Sequence, residues 1–156
     1  MSPSTVAIIP ARYGSTRLPG KALADIAGRP MVWHVAARAR RARGIARVIV
    51  ATDDVRIRDA VTDAGVEVAL TRADHPSGTD RLAEVARGLD AGVLINVQGD
   101  LPLLDPLMVE ALAARMADDP SLPMATLAVP MHDDEEWRSP HVVKTGWCRH
   151  SLRKPR

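Results

Sequence analysis

The sequence predicts an α/β fold with a mostly parallel sheet covered by helices, and three observations carry that prediction. Five short runs rich in apolar and β-branched residues are spread along the chain. Between them lie stretches whose apolar residues recur at helical spacing. Gly, Pro and Asp mark several of the places where one kind of segment gives way to the other. Runs that are apolar nearly from end to end suit strands buried on both faces, and alternation of strands with helices gives a parallel sheet.

The first run is Thr5 to Ile9, stopped by Pro10, and the second is Arg47 to Ala51. The third is Val66 to Leu70, the fourth Val93 to Val97, and the fifth Met124 to Val129, stopped by Pro130. Helical faces are written by Met31, Val32, Val35, Ala36 and Ala39, and then by Ile57, Ala60, Val61 and Ala64. Two more follow in Leu82, Val85, Ala86 and Leu89, and in Met108, Ala111, Leu112 and Met116. These spacings put each set on one side of a helix. Gly65 is placed to end the second helix, and Asp105-Pro106 reads as an N-cap followed by proline in the first turn. Ser77 or Thr79 is expected to cap the third.

The chain has 156 residues, 46% of them hydrophobic, which is enough for one core. Aromatic residues make up only 3%, with no Phe and Tyr13 as the single tyrosine, so Val, Ile, Leu, Ala and Met must build that core. Cys148 is the only cysteine, so no internal disulfide can form, which fits a reducing cytoplasm. No apolar run approaches the roughly 20 residues of a membrane span, and the first residues lack the pattern of a secretion signal. A cytoplasmic protein with no membrane partner is expected. The net charge is +2, but four basic residues and no acidic ones lie between Thr145 and Arg156, leaving residues 1–144 at −2. A mildly acidic body is not that of a nucleic-acid binder.

Ligands of such sheets bind beyond the carboxyl ends of the strands, and the chemically unusual residues follow strands one, three and four. Pro10 to Lys21 packs two glycines, two prolines, two hydroxyls and three cations into twelve residues. Glycines allow close backbone approach, and Arg12, Arg17 and Lys21 can neutralise a polyphosphate. Ala22 follows Gly20-Lys21 where a Walker loop would have Ser or Thr, and no GxGxxG pattern is present. Thr71 to Arg81 is polar and turn-rich and adds Arg72 and Arg81. Asn96 to Pro102 places Asp100 beside Gly99 at a strand end, where one carboxylate suits a hard cation shared with phosphates. The five histidines show no metal-ligand spacing, the acidic run His132 to Glu136 fits a solvated first helical turn, and Trp33 fits packing.

The stretches Ile9–Lys21, Thr71–Arg81 and Val97–Asp100, with Val50–Asp53 and Met124–Leu127, closely resemble the 3-deoxy-manno-octulosonate cytidylyltransferases over residues 5 to about 144. The resemblance implies a Rossmann-like nucleotidyltransferase fold of the nucleotide-diphospho-sugar transferase type, incomplete at its C-terminal end. It also implies a homodimer, dependence on Mg²⁺, and a role in bacterial lipopolysaccharide synthesis. By that resemblance Arg12, Ser15, Arg17 and Lys21 bind the phosphates of CTP, and Ala11 belongs to the same nucleotide-binding set. Arg72, Ser77 and Gln98 contact the nucleoside, Asp100 holds Mg²⁺, and Arg12, Lys21 and Asp100 form the catalytic set. The implied reaction transfers CMP to the acidic sugar 3-deoxy-D-manno-octulosonate (KDO) and releases pyrophosphate. Another acidic sugar, or a CTP-binding remnant without catalysis, is the alternative.

The sequence departs from the family pattern in two places. Leu101 stands where the family has Glu before Pro102. After Lys144 the match ends, and Thr145–Arg156 shows neither helical nor strand periodicity. The expected organisation is a partial nucleotide-binding domain over residues 1–144 and a basic tail over 145–156. The tail is expected to be out-of-frame translation, with a genuine basic tail able to contact an anionic surface as the alternative. The chain as written is expected to turn over little.

Overall fold

A computed structural model describes residues 4–14, 18–140 and 142–143. Ser15, Arg17, Cys148 and the 145–156 tail lie outside the described residues. The chain divides into two units, Met1–Ala125 and Thr126–Arg156.

The first unit is built on β1 (Thr5–Ala11), β4 (Arg47–Thr52), β5 (Glu67–Leu70) and β6 (Val93–Asn96), which form one parallel sheet in the order β5-β4-β1-β6. A small antiparallel pair, β2 (Asp25–Ile26) and β3 (Arg29–Pro30), leads into helix α1 (Met31–Ala39). Helices α2 (Val55–Ala60), α3 (Gly78–Ala86) and α4 (Pro106–Asp118) complete the layers. The parallel α/β architecture expected from the sequence is therefore what forms, with four of the five apolar runs as its strands.

Alternation along β1 explains why both faces are covered. Ala7, Ile9 and Ala11 point into a core shared with Val32, Val35 and Ala36 of α1, Ile57 of α2, and Val109 and Ala113 of α4. Val6 and Ile8 point the other way, with Ile49 and Ala51, against Leu82 and Val85 of α3 and against Leu89 beyond it. Successive side chains of a strand face opposite sides of the sheet, so an all-apolar strand needs helices on both. The helix ends follow the local signals. Gly65 adopts φ +66° and ends the 3₁₀ turn Thr62–Ala64, a backbone geometry that favours glycine. Asp105 caps α4 by accepting a hydrogen bond from the Leu107 N–H at 3.0 Å, with Pro106 in the first turn.

The fifth apolar run is corrected: Met124–Val129 forms no strand, and Met124 and Val129 are each 80% exposed. β-propensity describes a side chain's fit to a pleated surface, and without a hydrogen-bonded neighbour that surface does not exist. The described part of the second unit contains one short helix, α5 (Asp134–Arg138), capped by Asp133, whose side chain accepts the Glu135 N–H at 2.8 Å. The acidic run is thus a solvated first turn, as expected. No helix among the described residues is long and apolar enough to cross a membrane.

Ile9 of β1 is fully buried on the α1 side of the sheet. Ile9→Ala should lower unfolding free energy by about 2–5 kcal/mol through lost burial and a residual cavity, measured by urea denaturation of the chain.

Candidate functional site

The sheet order fixes where a ligand can enter. The chain moves outward from β1 to β4 to β5 and then returns across the sheet to place β6 on the other side of β1. The loops after β1 and β6 therefore leave adjacent strands in opposite directions and open a crevice at their carboxyl ends. The cleft found there has a volume of about 340 Å³, within the range of small-molecule sites.

Three segments line it. The β1 end contributes Pro10, Ala11 and Arg12, and the 3₁₀ turn Lys21–Leu23 contributes Lys21 and Ala22. The β6 end contributes Gln98, Gly99 and Asp100, and the turn before α3 adds His75, Ser77, Gly78 and Arg81. Of the residues singled out in the sequence, Ala11, Arg12, Lys21, Ser77, Gln98 and Asp100 are thus brought to one cavity. Arg72 is not among its lining residues; its guanidinium lies 3.6 Å from Asp74 and 3.7 Å from Glu84. Ser15 and Arg17 fall outside the described residues.

Two glycines bring the walls together. A Cβ on Gly99 would sit 2.8 Å from the Pro10 carbonyl oxygen, and one on Gly78 would sit 3.2 Å from the Pro10 ring. Only a residue without a side chain lets the β6 loop lie this close to β1. That approach carries Asp100 to Lys21, whose Nζ donates to Asp100 Oδ2 at 2.7 Å across 79 residues of sequence. Both partners are well exposed, so this pair contributes little to stability and its groups remain accessible from the cleft. Arg12 is exposed and has no ion-pair partner among the described residues.

The opposite wall is buried at His75 and Arg81 and exposed at Ser77 and Gly78. Ser77 caps α3, its Oγ accepting the Asp80 N–H at 3.1 Å and donating to Asp80 Oδ2 at 2.5 Å. The hydroxyl is therefore a cap and a lining group at once, and α3 presents its N-terminus, the positive end of its dipole, to the cleft. Arg81, only 2% exposed, hydrogen-bonds Thr71 Oγ1 and the Arg72 carbonyl, and lies 3.3 Å from Asp53 Oδ1. That oxygen is buried and has no aligned hydrogen bond, so the contact is an ion pair rather than a directed bond. His75 lines the cleft and bonds Glu84 through Nε2. Arg81, singled out with Arg72 in the sequence, does line the cleft, but its burial is not legible there. His75 carries no functional weight in the sequence, because nothing local distinguishes a buried polar residue from a solvated one. The signal available for His75 was its position beside Ser77 in a loop after a strand.

Among the described residues no group of three or more His, Cys, Asp or Glu side chains could hold a metal ion. A single carboxylate at Asp100 fits a hard cation that keeps its waters and shares phosphate oxygens, and does not fit a resident metal cage.

The carboxyl of Glu84 is held below the ordinary value, first by its hydrogen bond to His75 and further by the Arg72 N–H and nearby charges, against the opposing effect of burial. A carboxyl lowered in the folded state binds fewer protons than in the unfolded chain. Its contribution is thus present above the ordinary carboxylate range and lost as pH falls through the lowered one. The thermal midpoint should drop in acid below about pH 4.5, and it should drop less steeply in Glu84→Gln, read by circular dichroism melts across pH 3–7.

A family model described as "Cytidylyltransferase" matches residues 6–152. The 3-deoxy-manno-octulosonate cytidylyltransferase of Syntrophotalea carbinolica is 53% identical over 141 residues, covering 90% of this chain and 56% of that protein. That of Trichlorobacter lovleyi is 55% identical over 139 residues, covering 89% of this chain and 55% of its own length. Among solved structures, a CMP:2-keto-3-deoxy-manno-octonic acid synthetase complexed with CTP is similar, with a TM-score of 0.74 and 53% identity. The likeness covers 77% of this chain and 50% of that one. The chain thus spans about half the length of the relatives it matches.

Proposed function

The chain belongs to the cytidylyltransferase family, and from that premise we propose that it is the nucleotide-binding part of an enzyme that transfers CMP from CTP to KDO. The observation that carries this reading is the convergence of Arg12, Lys21, Gln98 and Asp100 on one cleft at the point where the strand order reverses. The names of the relatives support the sugar. Another acidic sugar, or CTP binding without transfer, would leave the same cleft intact.

In this reading Arg12 and Lys21 neutralise the triphosphate, with Ser15 and Arg17 extending the same loop. The N-terminus of α3 adds backbone donors, and Ser77 and Gln98 face the nucleoside, whereas Arg72, which does not line the cleft, would have to leave Asp74 and Glu84 to reach it. The sugar's anomeric oxygen bonds to the α-phosphorus while the bond to the β-bridging oxygen breaks. Pyrophosphate leaves with the electron pair, and the hydroxyl proton passes to water. Fixed cations around the phosphates stabilise the charge that builds on them as the bonds exchange. Asp100, with waters and phosphate oxygens, would hold Mg²⁺, which supplies further charge neutralisation when bound. The cytoplasm, where CTP is made, is the compartment, and a homodimer is the assembly.

Calorimetric titration of the chain with CTP and Mg²⁺ tests the site. Lys21→Ala should weaken binding by about 1.5–3 kcal/mol, the value of a charge-assisted hydrogen bond. Asp100→Asn should flatten the dependence of CTP affinity on Mg²⁺ concentration. Parental behaviour in both variants would remove this cleft from consideration, and pyrophosphate release with KDO as acceptor tests the transfer itself.

A further inference from the structure

The α3 wall of the cleft contains an imidazole to which the proposed transfer gives no task. His75 is only 9% exposed, lines the cleft, and bonds Glu84 Oε2 through Nε2. Glu84 in turn lines a separate groove formed by β4, β5 and α3. The ring therefore stands between the cleft on one side and its carboxylate on the other. Glu84 is itself held: the Arg72 N–H donates to the same Oε2 at 3.4 Å, and the Arg72 guanidinium lies 3.7 Å away.

A carboxylate only accepts, so in the neutral ring the bond to Glu84 puts the proton on Nε2 and leaves the lone pair on Nδ1. No protein donor meets Nδ1 among the described residues. The lining groups also sort by chemistry. Arg12, Lys21 and Asp100 come from the β1 and β6 loops and carry charge suited to phosphates and a cation. Ser77, Gln98 and His75 are the hydrogen-bonding groups suited to a nucleoside.

We propose that His75 is a specificity-determining residue that offers Nδ1 as an acceptor to the exocyclic amine of a cytosine base, with Glu84 as the positioning residue that fixes its tautomer. The proposal rests on the reading of the cleft as a CTP site. Cytosine presents an amine donor where uracil presents a carbonyl. With uracil, two acceptors would face each other without a proton between them, and a site built around one hydrogen bond rejects the ligand that cannot make it.

The test is calorimetric titration of the whole chain with CTP and with UTP, each with Mg²⁺, for the parent, His75→Asn and His75→Gln. The parent should bind CTP at least about tenfold more tightly than UTP, the worth of roughly one hydrogen bond. Asn places an amide where Nδ1 stands, and that amide can turn to accept from cytosine or donate to uracil. It should keep CTP affinity while UTP binding improves, so the ratio narrows. Gln reaches toward Glu84 and leaves the Nδ1 position empty; it should lose about tenfold in CTP affinity with UTP little changed. A purely structural role would weaken both nucleotides together and leave the ratio at its parental value, and that result in either folded variant overturns the proposal. Should the Gln variant fail to fold, the Asn variant decides alone. Equal binding of CTP and UTP by the parent overturns this inference while leaving the CTP site standing. Absence of CTP binding by the parent overturns both.

Discussion

The placement of β1 between β4 and β6 is the constraint on which the rest of this molecule depends. Its backbone pairs on both edges, with register running from Val6↔Arg47 to Ala11↔Thr52 on one side and from Thr5↔Val93 to Ile8↔Asn96 on the other. A strand bonded on both edges and packed on both faces has no freedom left in its interior, so its carboxyl end becomes a fixed reference. Pro10 then serves as the floor against which Gly78 and Gly99 pack, and the cleft takes its shape from those two close approaches. Enlarging either glycine would push a wall outward, since the atoms opposed to it are backbone or a rigid ring rather than a flexible side chain.

Charge is distributed unequally between the two walls. On the β1 and β6 side Lys21 and Asp100 answer each other while open to solvent, a pairing whose Coulomb gain is offset by hydration and side-chain entropy. Such groups can exchange partners at small cost, which suits a site that must accept a polyanion and a cation. On the α3 side Arg81 is withdrawn from water and depends on Thr71, the Arg72 carbonyl and Asp53. Removing a partner from a buried charge is far costlier than from an exposed one. This second wall therefore behaves as fixed framework, and it ties the ends of β4 and β5 to the first turn of α3.

The surface ion pairs elsewhere do not bear on the site. Arg47–Glu67 joins neighbouring strands, and Arg43–Glu110 joins the segment after α1 to α4. Arg29–Asp63 is reinforced by Trp33, whose Nε1 donates to Asp63 at 2.8 Å while the Arg29 guanidinium lies 4.9 Å from its ring centroid. Trp33 also packs against the main core, so the packing role expected of it holds and a cation–π contact is added to it.

What the sequence by itself determined was whatever depends on near neighbours. Four apolar runs became strands, α1 to α3 packed the faces their spacing marks, and Gly65, Ser77, Asp105 and the acidic run took the end and cap positions their chemistry favours. Helix α4 departs from its expected face, burying Val109 and Ala113 and leaving Met108 and Ala111 exposed, because the chain meets the sheet one residue further round the helix. The strand-end loops were legible as ligand-binding segments for the same reason, since parallel topology puts every carboxyl end on one side of the sheet. What only the tertiary structure decided involves partners far apart in sequence. It includes the meeting of Lys21 with Asp100, the burial of Arg81 on Asp53, the anchoring of His75 by Glu84, the turning of Arg72 toward Asp74 and Glu84, and the failure of Met124–Val129 to become a strand. Periodicity specifies which face of an element is apolar; it does not specify which polar group waits on the element opposite, because that follows from the order in which strands pair.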